Sequence, residues 1–108
     1  MTDRKRVSAL LAEFKAKLQA IYADRLKGVF LYGSHARGQG GPESDVDILI
    51  VLDDWEHYAS EIDRTGAVAS ELSLAYGVSI SQVFVRERDW LHEDTPFLVN
   101  AREDAIAG

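Results

Sequence analysis

The segment Ser44–Leu52 constrains the fold more than any other part of the chain. Val46 and every residue from Ile48 to Leu52 are apolar, so the segment reads as a strand buried on much of both faces. Two carboxylates, Asp45 and Asp47, stand at its start. Alternation along an extended chain puts both side chains on one face, about 7 Å apart at the backbone. Like charges at the border of an apolar strand repel each other and need compensation, for which a divalent cation is the economical answer. Oxygen-only ligands favour Mg²⁺ or Mn²⁺ over zinc.

A second strand precedes it. Val29–Tyr32 is a short apolar run that ends at Gly33. A strand that stops at glycine and turns toward a helix presents free backbone N–H groups, and these together with the helix dipole favour phosphate. Ser34 adds a hydroxyl. Arg37 lies one helical turn beyond Ser34 and reaches either a phosphate or the Asp45/Asp47 pair. Ser44 either donates to a carboxylate or fixes the Gln39–Glu43 loop. An anion cradle thus faces a metal-binding pair, which is the arrangement that phosphoryl and nucleotidyl transfer require.

The remaining pattern frames these strands. Val7, Leu10, Leu11, Phe14, Leu18, Ile21 and Tyr22 form one apolar stripe, predicting a helix over Asp3–Arg25 with Thr2 or Asp3 as its cap and Gly28 as its stop. Trp55–Tyr76 predicts a second helix, weakened by Gly66 and ended by Gly77. Val78–Val85 alternates as a third strand. Thr95-Pro96 predicts the start of a last helix that buries Phe97, Leu98, Ala101 and Ile106. Arg86–Asp89 alternates in sign and reads as a solvated segment. The sum is a single α/β (α+β) domain over residues 1–108, with a small mixed sheet of about three strands and helices packed mainly on one face.

Composition narrows the partners. The chain of 108 residues has no cysteine and a net charge of −6. Disulfides and thiolate metal sites are excluded, and direct nucleic-acid binding is disfavoured because it usually requires a basic patch. No apolar run is long enough to span a membrane, and no secretory leader follows Met1, so a cytoplasmic location is expected.

Gly33-Ser34-His35-Ala36-Arg37-Gly38 followed by Ser44-Asp45-Val46-Asp47 resembles the signature of the DNA polymerase beta-like nucleotidyltransferase superfamily. Within it, the chain is similar to the minimal nucleotidyltransferases of bacteria and archaea. The resemblance implies the nucleotidyltransferase fold, a triphosphate held by Gly33 and Ser34, and Mg²⁺ held by Asp45 and Asp47, with Arg37 and Ser44 as further nucleotide-binding candidates. It implies transfer of a nucleoside monophosphate, most often AMP from ATP, to a hydroxyl. It also implies kinship with MntA-type antitoxins of HEPN/MNT toxin–antitoxin pairs, some of which modify a tyrosine of a HEPN-type toxin. A homo-dimer or a hetero-oligomer would complete so small a site. His35 has no fixed role in the pattern.

One departure bears on mechanism. The resemblance leads one to expect a third carboxylate on the following strand, and Val78–Val85 contains none; Ser81 or Gln82 stands near the expected place. Two alternatives therefore stay beside the enzyme: a catalytically impaired antitoxin that acts by binding its partner, and a nucleotide-binding subunit of a larger transferase.

Overall fold

The computed structural model describes residues 4–41 and 45–108. Thr2, Asp3 and Ser44, proposed above as caps or ligand, lie outside the described residues.

Helix α1 spans Arg4–Tyr22 and passes through a 3-10 turn at Ala23–Arg25 into β1, Leu26–Tyr32. Strand β2 is Val46–Leu52, α2 is Tyr58–Tyr76 and β3 is Ile80–Arg86. Helices α3 (Glu87–His92) and α4 (Pro96–Asp104) follow, and β4 is the dipeptide Ile106–Ala107. Among the described residues the sheet has four strands in the order β3-β2-β1-β4. β1 runs antiparallel to β2 and β4, and β2 runs parallel to β3. The fold is the expected mixed sheet with one more strand than expected.

β2 lies inside the sheet because its sequence has no polar face beyond Asp47. Ile48, Leu49, Ile50 and Leu52 are fully buried. One face of the sheet packs on the long helices: Val29, Leu31, Ile48, Ile50 and Phe84 meet Leu10, Phe14 and Leu18 of α1 and Leu72 of α2. The other face carries Leu49, Val51 and Val85 under Leu98 and Ala101 of α4, with Trp90 of α3 at its margin. Burial of this kind is the main stabilising contribution, roughly 1.5–3 kcal/mol for each large apolar side chain.

Helix ends follow local chemistry. The Thr95 hydroxyl accepts from the Leu98 N–H, with Pro96 in the first turn as anticipated. Gly77 closes α2 in the left-handed conformation at φ 65°. Gly66 does not interrupt α2.

Other expectations are corrected. α1 stops at Tyr22, and Gly28 belongs to β1 rather than to a helix end. Its missing side chain leaves room for the Phe30 ring, which a Cβ would strike. The Glu87–His92 stretch is helical, not merely solvated, because Trp90 anchors it on Phe30 with ring centroids 5.0 Å apart. The last helix ends at Asp104, so Ile106 is not helical; it pairs with Leu31 and is 39% exposed. The open edge of β1 takes up this end of the chain: Ile106 and Ala107 pair with Leu31 and Phe30, and the Gly108 N–H donates to the Val29 carbonyl at 2.9 Å. Phe97, expected in the core, is 43% exposed.

Candidate active site

The site forms where β1 ends and β2 begins. These strands are antiparallel, so Tyr32 pairs with Asp47. β3 is parallel to β2 and brings Ser81 beside Asp47. Tyr32, Asp47 and Ser81 therefore form one row across three strands, on the sheet face that carries α3 and α4. The position facing Asp47 is thus Ser81. Gln82 turns to the opposite face, where its amide oxygen accepts from the Thr65 hydroxyl at 2.9 Å. Glu87 and Asp89 lie beyond the far end of β3. Among the described residues no group of three or more histidine, cysteine, aspartate and glutamate side chains comes together.

Gly33 is required twice over. Its φ is 78°, which favours glycine, and a Cβ there would collide with Oδ2 of Asp47. The chain then makes a tight turn. The Arg37 N–H donates to the Gly33 carbonyl at 3.2 Å, and the Gln39 N–H donates to the Ser34 carbonyl at 2.8 Å. Ser34 enters this turn half-buried. The Gly33-Ser34 backbone and the Asp47 carboxylate are accordingly adjacent.

Asp45 is exposed and precedes β2 instead of lying in it. β2 starts one residue later, where the Val46 N–H donates to the Ser79 carbonyl at 2.8 Å. The strand-alternation argument for a shared face therefore does not apply to Asp45, yet its charge acts on Asp47. Burial, and then the negative charge of Asp45, raise the Asp47 carboxyl above its ordinary value; His35 and Arg37 pull it back in part. Burial and then the charge of Asp47, with a smaller effect from Tyr58, push the Tyr32 phenol up to about 12. A half-buried carboxylate with a second one beside it and no ion pair among the described residues suits a hydrated Mg²⁺ or Mn²⁺. The oxygen-only donor set fits such an ion.

Arg37 does not sit on either aspartate. Its guanidinium bonds Asp104 of α4 at 2.6 Å, tying the turn to the last helix. It remains partly exposed. His35 is 9% exposed, with its ring against Gly40, where a Cβ would strike Nδ1. Nothing in the sequence separates this packed histidine from a loop residue; the Gly40 that accommodates it is a faint signal. Asp104 was equally invisible, because it meets Arg37 only through the fold.

Residues 9–104 match the family model of the nucleotidyltransferase domain, and the chain belongs to that family. It is 36% identical over 78 residues to "Putative protein adenylyltransferase MJ0141" of Methanocaldococcus jannaschii, covering 72% of this chain and 78% of that protein. Among solved structures, "Crystal structure of the toxin-antitoxin with AMP-PNP" shares the fold at a TM-score of 0.61 and 18% identity, over 87% of this chain and 68% of that one. "Structure of putative minimal nucleotidyltransferase" does so at 0.57 and 23%, over 93% of each chain.

Proposed function

We propose that this chain binds a nucleoside triphosphate, with ATP as the donor, together with Mg²⁺, and transfers AMP to a hydroxyl of a partner protein. The observation that carries this reading is the contact of the Asp47 carboxylate with Gly33, at the turn whose N–H groups suit a phosphate, with Asp45 alongside. Gly33 admits the triphosphate close to the backbone, Ser34 donates its hydroxyl to a phosphate oxygen, and Arg37 leaves Asp104 for the phosphates. Ser44 is assigned to the nucleotide by its place in the motif. Asp45 and Asp47 hold the metal, which when bound offsets charge on the phosphates and the attacking oxygen. The acceptor oxygen bonds to the α-phosphorus, the bond to the β-phosphate bridge oxygen breaks, and pyrophosphate leaves. The acceptor proton passes to solvent.

The protein relative is named for adenylyl transfer to protein, and one of the structural neighbours is a toxin–antitoxin complex with a triphosphate analogue. The toxin–antitoxin likeness supports a toxin partner with this chain as its antitoxin; from the motif's resemblance alone, we extend the proposal to a HEPN-type toxin and a cytoplasmic pair. No described helix is long and apolar enough to cross a membrane.

A second reading rests on Ser81. With a serine beside Asp47, β3 offers no carboxylate to take the acceptor proton, and general-base assistance is typically worth ~10²–10⁴ in rate. The domain would then neutralise its partner by binding alone. Incubation with the protein encoded by the adjacent gene, α-labelled ATP and Mg²⁺ separates the two. Label on the partner that disappears with Asp47→Asn supports transfer; a stable complex without label supports binding alone.

A further inference from the structure

Strand β3 is an edge strand. β2 occupies one side, and no strand among the described residues pairs with the other. Phe84 points its N–H outward, where it meets the Tyr58 hydroxyl at 3.2 Å. In a parallel ladder the outward-facing residues alternate, so Gln82 and Ile80 turn their backbone groups the same way. Beside this edge runs a groove of about 470 Å³. Val83 and Val85 line it from the sheet face that carries α4, together with Phe97 and Leu98 of α4, and Phe84 and Trp55, which belong to the opposite cluster, border it at the strand edge.

The groove leads to the site. The partly exposed Phe97 ring packs edge-on against Tyr32 with centroids 5.6 Å apart, so one ring borders both the groove and the Tyr32–Asp47–Ser81 row. Ser81 stands two residues before Val83 on the same sheet face. From Ser81 to Val85 the strand covers about 13 Å, the reach of a five-residue extended segment.

Charge selects the occupant. Asp89 and Glu93 line the groove; Asp89 already faces Arg86 at 3.9 Å and Arg88 at 4.0 Å, so the acid that enters no ion pair among the described residues is Glu93, and Asp47 stands toward the site. The cation in its lining, Arg86, is engaged: it bonds Asp54 at 2.7 Å and lies over the Trp55 ring at 4.0 Å. The chain as a whole carries −6, so a second copy would bring acid against acid, whereas a basic segment complements the rim.

We propose that this groove receives the acceptor as an extended basic polypeptide segment laid along β3, which delivers a hydroxyl side chain to Asp47 and seats an apolar side chain two or four residues away against Val83, Val85 and Phe97. The inference rests on the transferase reading for its purpose, but the docking is measurable without nucleotide. The probe is a pool of fluorescein-labelled nine-residue peptides with a central tyrosine, alternating β-branched residues and lysine ends. A matched pool carries glutamate ends. Fluorescence anisotropy with the whole chain should find binders in the lysine pool and none in the glutamate pool. Phe97→Ser should weaken those binders at least tenfold. Glu93→Lys, on the exposed rim, should weaken them several-fold at low salt and less at high salt. Circular dichroism melts establish that both variants are folded. The proposal is overturned if the lysine pool binds no better than the glutamate pool, or if both variants bind like the parent. It is also overturned if sedimentation shows a dimer that Phe97→Ser dissolves, since a second copy would then be the occupant. Peptide binding without Mg-ATP-dependent labelling of any bound peptide would instead remove the transferase reading and leave the docking surface standing.

Discussion

Strand β2 has a pair of aspartates at each end, and the pairs live in different surroundings. At its exit, Asp53 meets Arg25 at 3.2 Å and Asp54 meets Arg86 at 2.7 Å. The Trp55 backbone N–H, then the Arg86 side chain, hold the Asp54 carboxyl below its usual value. At the entry, among the described residues, neither Asp45 nor Asp47 enters an ion pair, and burial plus Asp45 push Asp47 up. Acids at the exit are satisfied by the fold, whereas Asp47 at the entry is half-buried beside a second carboxylate with no cation paired to it among the described residues. We propose that a cation from outside offsets the charge of the entry pair, whereas the exit pair already has its arginines.

Substitutions at the entry should have the largest consequences. Asp47→Asn should reduce Mg²⁺-dependent transfer, or Mg-ATP binding where no transfer is seen, by about 100-fold or more. The same change should raise the metal-free melting temperature at neutral pH. The sign follows from the raised Asp47 carboxyl: the folded state holds its proton more tightly than the unfolded chain does. Metal-free stability therefore falls as pH rises from the ordinary carboxylate range through the raised value, and the penalty persists above it. Melts of parent and variant at several pH values check this, since the variant should lose that part of the pH dependence. A lower metal-free melting temperature in Asp47→Asn would instead mark Asp47 as structural.

Gly33→Ala comes next. It combines a φ of 78° with a collision against Asp47, so we expect a loss of about 1–3 kcal/mol in denaturant unfolding and a parallel loss of nucleotide binding. Ser81→Asp sharpens the comparison from the other direction by adding a carboxylate to the row. If the domain turns over, labelling of the partner should increase, by up to ~10²–10⁴ if the new acid takes the acceptor proton. Its metal-free melting temperature should fall, and added Mg²⁺ should recover it. The smallest effect belongs to the exit: Asp53→Asn breaks an exposed ion pair and should cost less than ~1 kcal/mol, with Mg²⁺ binding unchanged.

Much of this was legible in the chain itself. The apolar run of β2 placed it inside the sheet, the stripe of α1 gave its packed face, and Gly33-Ser34 with Asp45 and Asp47 marked one end of the molecule. What was not legible depended on tertiary partners. Ile106 looks helical until the free edge of β1 is there to pair with it, and α3 is too short to show a period without Trp90 packed on Phe30. Asp45 slips out of β2 because pairing starts at the Val46 N–H, which alternation alone does not reveal. His35 and Asp104 act on the site through contacts that join distant stretches of chain. The choice between Ser81 and Gln82 needed the register of the β2–β3 ladder, because one residue of slip exchanges the faces.

The central claim is that the entry pair binds a metal and the exit pair does not. It is tested most directly by titrating Mg²⁺, with and without ATP, into the parent, Asp47→Asn and Asp53→Asn and following the melting temperature. A saturable rise in the parent and Asp53→Asn that is absent in Asp47→Asn is the predicted result. An equal rise in all three proteins would contradict it.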